Sequence, residues 1–592
     1  MAMQIPMHRY EYTKLTPVQI RQAMRATEDG PSSASAFTNE LNGRSVRIVT
    51  QDGPTLEYAF NSNKRLTVSV DGARRVEAGY GELTLNQIVF FSHTIPGEQR
   101  GYNVYIDQGT NLVTVFEVWM SSGITGGTGA NQYTLDDREV QRQIYFGHVD
   151  TGQGTPAELH KFTNRIEGKG IYWKQDNGIE TLEHYASVTN TNFVELTRHT
   201  DNLSWVSTSD YVEADVRHFF YNRTECEFSG IHTCFAMDLF SMQQVGVRFG
   251  FNENDELEYY MFRGDGKVIG QLAFLEPFDE YGRTPMWMNT DGETAKGARY
   301  SYRPVRTFTW MSDAEVAEAA ERNTSAFGNG PPSNGDGGAM AANNMPFSDM
   351  LVGREFTLRF DNGGPVRDYR VNDVYQLQYR DHADGTWRDA WYRAYEGDDN
   401  LAWFGHILED TNPRAATMVA VDFTNGLVTS IESHMGTPYY GNETTYRAIF
   451  GVLEMEGIEP PLYTRHHLTD ELIGHAFSWS YSDATTSMHL YTSPNSMSWT
   501  IFTANQTMGA QWCSPCLYVK LRPGIYIFCQ NEEACNGAQM TELLNTKITR
   551  DCGFSFTGGA NGVNLGLVGA YGRHIGQFDT RKYFGPNRGS QA

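Results

Sequence analysis

One pattern occurs four times in this chain and constrains its fold more than any other feature. An aliphatic residue is followed by any residue and a glycine, then by two alternating runs separated by a polar break. It reads "LNGRSVRIVTQDGPTLEYAF" from Leu41, "IEGKGIYWKQDNGIETLEHYA" from Ile166, "LVGREFTLRFDNGGPVRDYRV" from Leu351 and "LIGHAFSWSYSDATTSMHLYT" from Leu472. Alternation at period two puts apolar side chains on one face of a strand, and Asp-Gly or Asn-Gly between two such runs tolerates the positive φ of a tight hairpin turn. Four hairpins predict four β units.

The units come in pairs. "RQIYFGHVDTG" follows the first and "RAIFGVLEMEG" follows the third, so Phe146-Gly147 corresponds to Phe450-Gly451. Each half is also expected to open with a short helix. Thr16 and Gln19 have capping-box spacing with Pro17 between them, and Ser312 and Glu315 repeat that spacing. The segment from Asn323 to Met345 is poor in bulky apolar residues and rich in Gly, Asn and Pro, which predicts a mobile linker. The resulting organisation is residues 1–40 as helix and linker, 41–165 and 166–300 as the first two units, 301–347 as helix and flexible linker, and 348–465 and 466–592 as the last two. Short strands at regular spacing fit an up-and-down barrel or a sandwich. Closing the sheet protects its edges, and eight strands leave room for one small ligand.

The 47 Lys and Arg against 71 Asp and Glu give a formal net charge of -24, which repels phosphate backbones and anionic membranes. No nucleic acid and no membrane are expected as partners. The first residues lack the apolar core of a signal peptide and no later window could span a bilayer, so the expected compartment is the cytoplasm. Seven cysteines, five of them late in the chain at Cys513, Cys516, Cys529, Cys535 and Cys552, do not make a disulfide framework. Cys513-x-x-Cys516 raises a zinc alternative, but the other three lack a second C-x-x-C, and small buried thiols are the plainer reading. His406, His434, His466, His467 and His574 show no metal-binding spacing. No phosphate loop, dinucleotide fingerprint or nucleophile elbow is present. No metal and no cofactor are expected.

The fourth unit, with "TDELIGHAFSWSYSDATTSMHLYTSPNSMSWTI" and "CLYVKLRPGIYIFCQNEEACNGAQMTELLN", resembles the C-terminal domain of the MoaF family. The third unit resembles that family's N-terminal domain, and the first half is a more diverged likeness that includes "GIHTCFAMDLFSMQQVGVRFGF". The resemblance implies an all-β chain of four lipocalin-like (calycin) antiparallel β-barrels in two tandem pairs. A weaker similarity links "FDNGGPVRDYRVNDVYQLQYRDHADGTW" to phenolic acid decarboxylases, cofactor-free barrels that act through two tyrosines, an arginine before a tryptophan, and a glutamate. Carried over, the tyrosines fall on Leu358 and Phe360, the arginine on Thr386 before Trp387, and the glutamate on Glu409. In the fourth unit the same places hold Trp479, Tyr481, Gln511 before Trp512, and Glu532. No unit keeps the full set.

A carboxyl group among aromatics inside a barrel is desolvated, and its raised pKa suits proton transfer near neutral pH. Glu532, Tyr481, His489, Tyr491 and Glu409 are therefore the candidate catalytic residues. Trp479, Trp499, Trp512, Trp387, Tyr369 and Tyr379 are candidates for stacking on a flat substrate. Against this stands the ordinary reading, in which strand Tyr and Trp are plain β-formers and a glutamate near a strand end is a solvated rim residue. The function expected first is a cofactor-independent lyase, decarboxylase, isomerase or cyclase of secondary metabolism acting on a small aromatic or polyketide-like molecule. The alternative is a lipocalin-type carrier of an aromatic or apolar ligand. In a third reading two barrels are degenerate and serve as walls, or as the surfaces of a homodimer.

Overall fold

The computed structural model describes residues 15–120, 140–163, 165–185, 190–197, 204–225, 231–252, 255–272, 340–411, 414–435, 444–482, 485–503, 511–532, 538–559 and 562–584, with short backbone stretches at 3–4, 8–11, 307–310 and 333–334. The repeated motif explains itself in the backbone. Gly43, Gly168, Gly353 and Gly474 have φ of 76, 80, 77 and 89°, the left-handed region that favours glycine. In each unit the residue after the glycine donates its N–H to the carbonyl of the aliphatic residue, closing a turn at Leu41, Ile166, Leu351 and Leu472. The glycine N–H then donates to the end of the second strand of the hairpin, at Phe60, Tyr185, Val371 and Tyr491. All four aliphatic residues are buried, so the motif turns the chain into the first strand and fills one end of its own unit. A Cβ on Gly353 would meet nothing within 4 Å, so Gly353→Ala isolates the backbone cost. Its expected destabilisation is about 1–3 kcal/mol, read as a lowered thermal or urea midpoint.

Three sheets close into eight-stranded antiparallel barrels. The first runs from Ser45–Thr50 to Val140–Val149, which pair with each other. The second runs from Lys169–Gln175 to Leu257–Gln271, and the third from Glu355–Phe360 to Thr444–Glu454, each closed in the same way. Their strands alternate as the sequence predicts: along Thr55–Phe60, Leu56, Tyr58 and Phe60 are buried and the residues between them are not fully so.

The fourth unit departs from the expected closed barrel. It is a curled sheet from His475–Ser482 to Tyr571–Gln577. Strand Arg550–Gly559 spends its free edge on a hairpin with Gly562–Val568, so the last strand reaches it through the single pair Arg550↔Tyr571. The helix expected at the start of the first half is Pro17–Met24, with both capping-box hydrogen bonds formed between Thr16 and Gln19. Its counterpart at Ser312 lies outside the described residues. The end of the expected mobile linker, residues 340–345, is pinned: the Gly569 N–H donates to Met340, the Asn343 N–H donates to Tyr481, and Asn344 donates to the Tyr395 hydroxyl.

Within each half the barrels share outward-facing side chains. Phe90, Tyr105 and Phe116 of the first pack with Val212, Phe220 and Val245 of the second, and Trp403, Met418 and Ile431 of the third pack with Val519, Leu543 and Phe554 of the fourth. Cys529 and Cys552 lie buried in the second of these seams, Cys234 in the first, and the described cysteines are all free thiols. Among the described residues no group of three or more His, Cys, Asp or Glu is placed to hold a metal ion. No described helix is long and apolar enough to cross a membrane.

Candidate functional site

The interior of the fourth unit is walled by Phe477, Trp479, Tyr481, Tyr491, Trp499, Tyr518 and Phe528. These come from five strands because the first hairpin places Phe477 opposite His489 and Trp479 opposite Ser487, while Trp499 pairs with His489 from the far side. The Tyr481 hydroxyl lies 3.4 Å from His489 Nε2. Burial lowers His489 to about 3, so the imidazole is neutral at ordinary pH. Burial also raises both Tyr481 and Tyr491 well above 10, helped by the charges of Glu542 and Asp551.

The buried polar atoms in this interior without a hydrogen-bond partner among the described residues include Trp479 Nε1, His489 Nδ1, the Tyr491 hydroxyl and Asp551 Oδ2. The Trp479 indole is near enough to Tyr491 to favour its ionised form, yet the two do not meet hydrogen-bond geometry. Asp551 takes the Ala570 N–H on its other oxygen, and burial pushes its carboxyl up to about 8. At neutral pH it is a neutral acid with an O–H to give. Leaving buried polar atoms unpaired costs roughly 1–3 kcal/mol each, so several together mark a place where something else completes them.

The second barrel provides an internal comparison, because strand register aligns it with the fourth. Trp173, Glu183, Tyr185, Tyr221 and Arg223 stand where the fourth has Trp479, His489, Tyr491, Phe528 and Gln530. In the second barrel these groups are linked in one hydrogen-bonded chain. The Trp173 indole donates to Tyr185 at 3.2 Å, Tyr185 to Tyr221 at 3.2 Å, and Tyr221 and Arg223 each to Glu183 at 2.6 Å. The Arg223 guanidinium also stacks on Phe193 at 3.8 Å. In the fourth unit Phe528 removes the linking hydroxyl and His489 the accepting carboxylate, so the same scaffold is left open.

The third barrel, like the second, holds a buried arginine–glutamate pair. Arg367 and Glu432 form a buried two-point pair at 2.8 and 2.9 Å, and Thr417 and Ser430 also donate to Glu432. Burial alone would raise Glu432, but Arg367 holds it down at about 2. The Tyr369 hydroxyl lies 3.3 Å from His406 Nε2, whose Nδ1 lies 2.9 Å from the Ile407 carbonyl and so donates to it. Tyr369 therefore donates to Nε2. The first barrel repeats the pair as Tyr58 and His93, 3.1 Å apart.

The structure thus brings Tyr481, His489, Tyr491, Trp479 and Trp499 into one interior and adds Glu542 and Asp551, which sequence reasoning missed. Tyr369 and Tyr379 share the third interior with His406. Glu409 follows strand Leu401–Leu408 at the rim, half-buried and raised by burial, and its N–H donates to the Tyr379 hydroxyl at 2.7 Å. Trp387 stands on the outer face of the third barrel, stacked between Arg370 and Arg380. Glu532 ends its strand, paired with Ala538, and Trp512 pairs with Trp499; the side chains of Glu532 and Trp512 lie outside the described residues.

A family model described as the MoaF N-terminal domain matches residues 336–437, and one described as the MoaF C-terminal domain matches 466–573. These are the third and fourth units in order. No curated protein matches the chain. A crystal structure provisionally described as a beta-lactamase from Burkholderia vietnamiensis is 16% identical, covers 18% of this chain and 96% of its own, and has a TM-score of 0.15. The LG1-3 region of the laminin alpha2 chain is 10% identical, with coverage of 73% and 89% and a TM-score of 0.10. Neither likeness carries a functional argument.

Proposed function

Because residues 336–573 belong to the MoaF family, we propose that the second half carries the activity and that the fourth unit binds a small aromatic or polyketide-like molecule and acts on it by acid–base chemistry without a cofactor. The observation that carries this reading is an aromatic interior in which Trp479, His489 and Tyr491 keep polar atoms without a partner among the described residues, where the second barrel links its counterparts Trp173, Glu183 and Tyr185 through Tyr221 and Arg223. The aromatic walls suit a flat ligand. An indole N–H, a tyrosine hydroxyl and a neutral carboxylic acid are donors, which fit a ligand carbonyl whose oxygen gains negative charge as a proton leaves or a carbon–carbon bond breaks. The neutral His489 imidazole, beside Tyr481, is placed to hydrogen-bond the ligand, and it would take a proton only where a charge on the ligand offsets the burial that lowers it. A lyase, decarboxylase, isomerase or cyclase step all make this demand.

The test is a screen of phenolic acids and cyclic ketones, following tryptophan fluorescence for binding and CO2 release or isomer formation for turnover. Asp551→Asn should retain binding within a few-fold while turnover falls by about 100-fold or more. Turnover by the parent protein should decline as pH rises through about 8, where the Asp551 proton is lost. Glu532→Gln is the companion variant from the sequence-based assignment. Binding without turnover for every compound would favour the carrier reading, and no binding by any compound would count against the site itself.

A further inference from the structure

We propose that the two halves of this chain are packed as an intramolecular dimer, in which the second and fourth units meet through equivalent surfaces about an approximate two-fold axis and that face holds the halves together without the covalent link. In a two-fold interface, residue i of one copy meets j of the other, and j meets i in return. That reciprocity requires first that equivalent residues be identified. Strand register supplies them, since Trp173 and Trp479 each pair with the first residues of the following strand, and both first strands carry the same irregularity, between Gly170 and Ile171 and between Ala476 and Phe477. The last strands match as well, with Gly270 and Gly576 at φ 154 and 150°.

The contacts are then reciprocal. Asn192 and Ser498 are equivalent residues, paired with His184 and Leu490 in their own sheets, and they bond to each other across the interface at 2.6 Å. A residue in contact with its own counterpart lies on the axis. A Cβ on Gly270 would fall 2.6 Å from the Gln577 carbonyl and 3.0 Å from Phe578 Cα; a Cβ on Gly576 would fall 3.1 Å from the Gln271 carbonyl and 2.9 Å from Leu272 Cα. Gln271 and Leu272 follow Gly270 as Gln577 and Phe578 follow Gly576, so each glycine admits the other half's copy of its own two successors. The apolar side of the contact repeats the rule. Leu182, Ile269 and Leu272 of the second barrel share one buried cluster with Met488, Ile575 and Phe578, their counterparts in the fourth unit. Ser204 adds hydrogen bonds at 2.7 Å with Thr492 and Ser496. The face is therefore apolar, hydrogen-bonded and buried, unlike a loose junction between domains that move independently.

The experiment uses the full-length chain with a sequence-specific protease site inserted after Gly330, cut to completion and run by gel filtration at micromolar concentration. The two pieces should elute together at the volume of the uncut protein, and separate peaks would overturn the proposal. Residues Met3–Gln4 also pair with Arg447 and Ala448 of the third barrel, so the face must be tested apart from that arm. The double variant N192D/S498D sets two carboxylates against each other on the axis, and Phe578→Ser removes apolar contact from the same face. After cutting, each should separate while the strand signal in circular dichroism is kept. Co-elution of both cut variants would assign the association elsewhere and overturn the role of this face.

Discussion

A fourth unit carrying His489→Glu, Phe528→Tyr and Gln530→Arg together should keep its fold and lose ligand binding by about 100-fold or more. These residues are the ones the second barrel has at the same positions, as Glu183, Tyr221 and Arg223. The new Tyr would stand between Tyr491 and the new Glu, and the new Arg would supply that carboxylate with its cation, as the linked chain from Trp173 to Arg223 does in the second barrel. The Trp479 and Tyr491 donors would then have internal acceptors, and a ligand oxygen would have to displace those bonds. The set must be introduced whole. His489→Glu alone leaves an unpaired carboxylate in an apolar interior, which costs about 3–5 kcal/mol, whereas a completed buried pair is close to neutral. Titration of any compound found to bind, beside a thermal melt, separates the outcomes. A triple variant that binds like the parent would mean that the open polar atoms are not what the ligand uses.

The difference between these interiors shows where sequence reasoning reached its limit. The four units, their order in pairs and their antiparallel strands follow from the aliphatic-x-Gly turn and period-two alternation, which are local and repeat in plain view. Tyr481, His489 and Tyr491 were legible for the same reason, since they lie on one hairpin whose two strands are adjacent in sequence. Glu542 and Asp551 were not, because they join the site only through the register of strands far along the chain. The faces of the third barrel's early strands were not legible either, because "VRDYRV" and "QLQYRD" carry charges on both faces. In such strands alternation does not say whether Arg367 or Arg370 faces the core, and the structure buries Arg367 while leaving Arg370 exposed. The incomplete closure of the fourth sheet depends on which strand Tyr571–Gln577 selects as neighbour, a choice made by pairing rather than by composition.

Glu432→Ala should destabilise the third barrel by about 3–5 kcal/mol, a large share of the roughly 5–15 kcal/mol that a domain usually has. The cost comes from what remains. Arg367 is almost wholly buried and its charge is matched by both Glu432 oxygens, so truncation strands a guanidinium in the barrel interior with only the more distant Asp381, at 3.5 Å, in reach. Replacing both partners, as R367M/E432L, should recover most of the loss, because two apolar side chains of similar reach remove the need for solvation that either charge alone would impose. The first barrel supports this separation of roles: it keeps the glutamate as Glu117 but has Leu56 at the place of Arg367, and supplies its carboxylate instead from Arg100, Tyr102 and Tyr145. Acid provides a second readout. Glu432 falls from its ordinary 4.5 to about 2 in the folded barrel, so its contribution, roughly 3 kcal/mol, is fully present above pH 4.5 and is lost as pH falls through 2. Urea midpoints measured across that window should drop steeply for the parent and less steeply for R367M/E432L, where no carboxylate remains at position 432 to be protonated. Parallel slopes in the two proteins would show that the acid sensitivity of this barrel arises from other carboxylates.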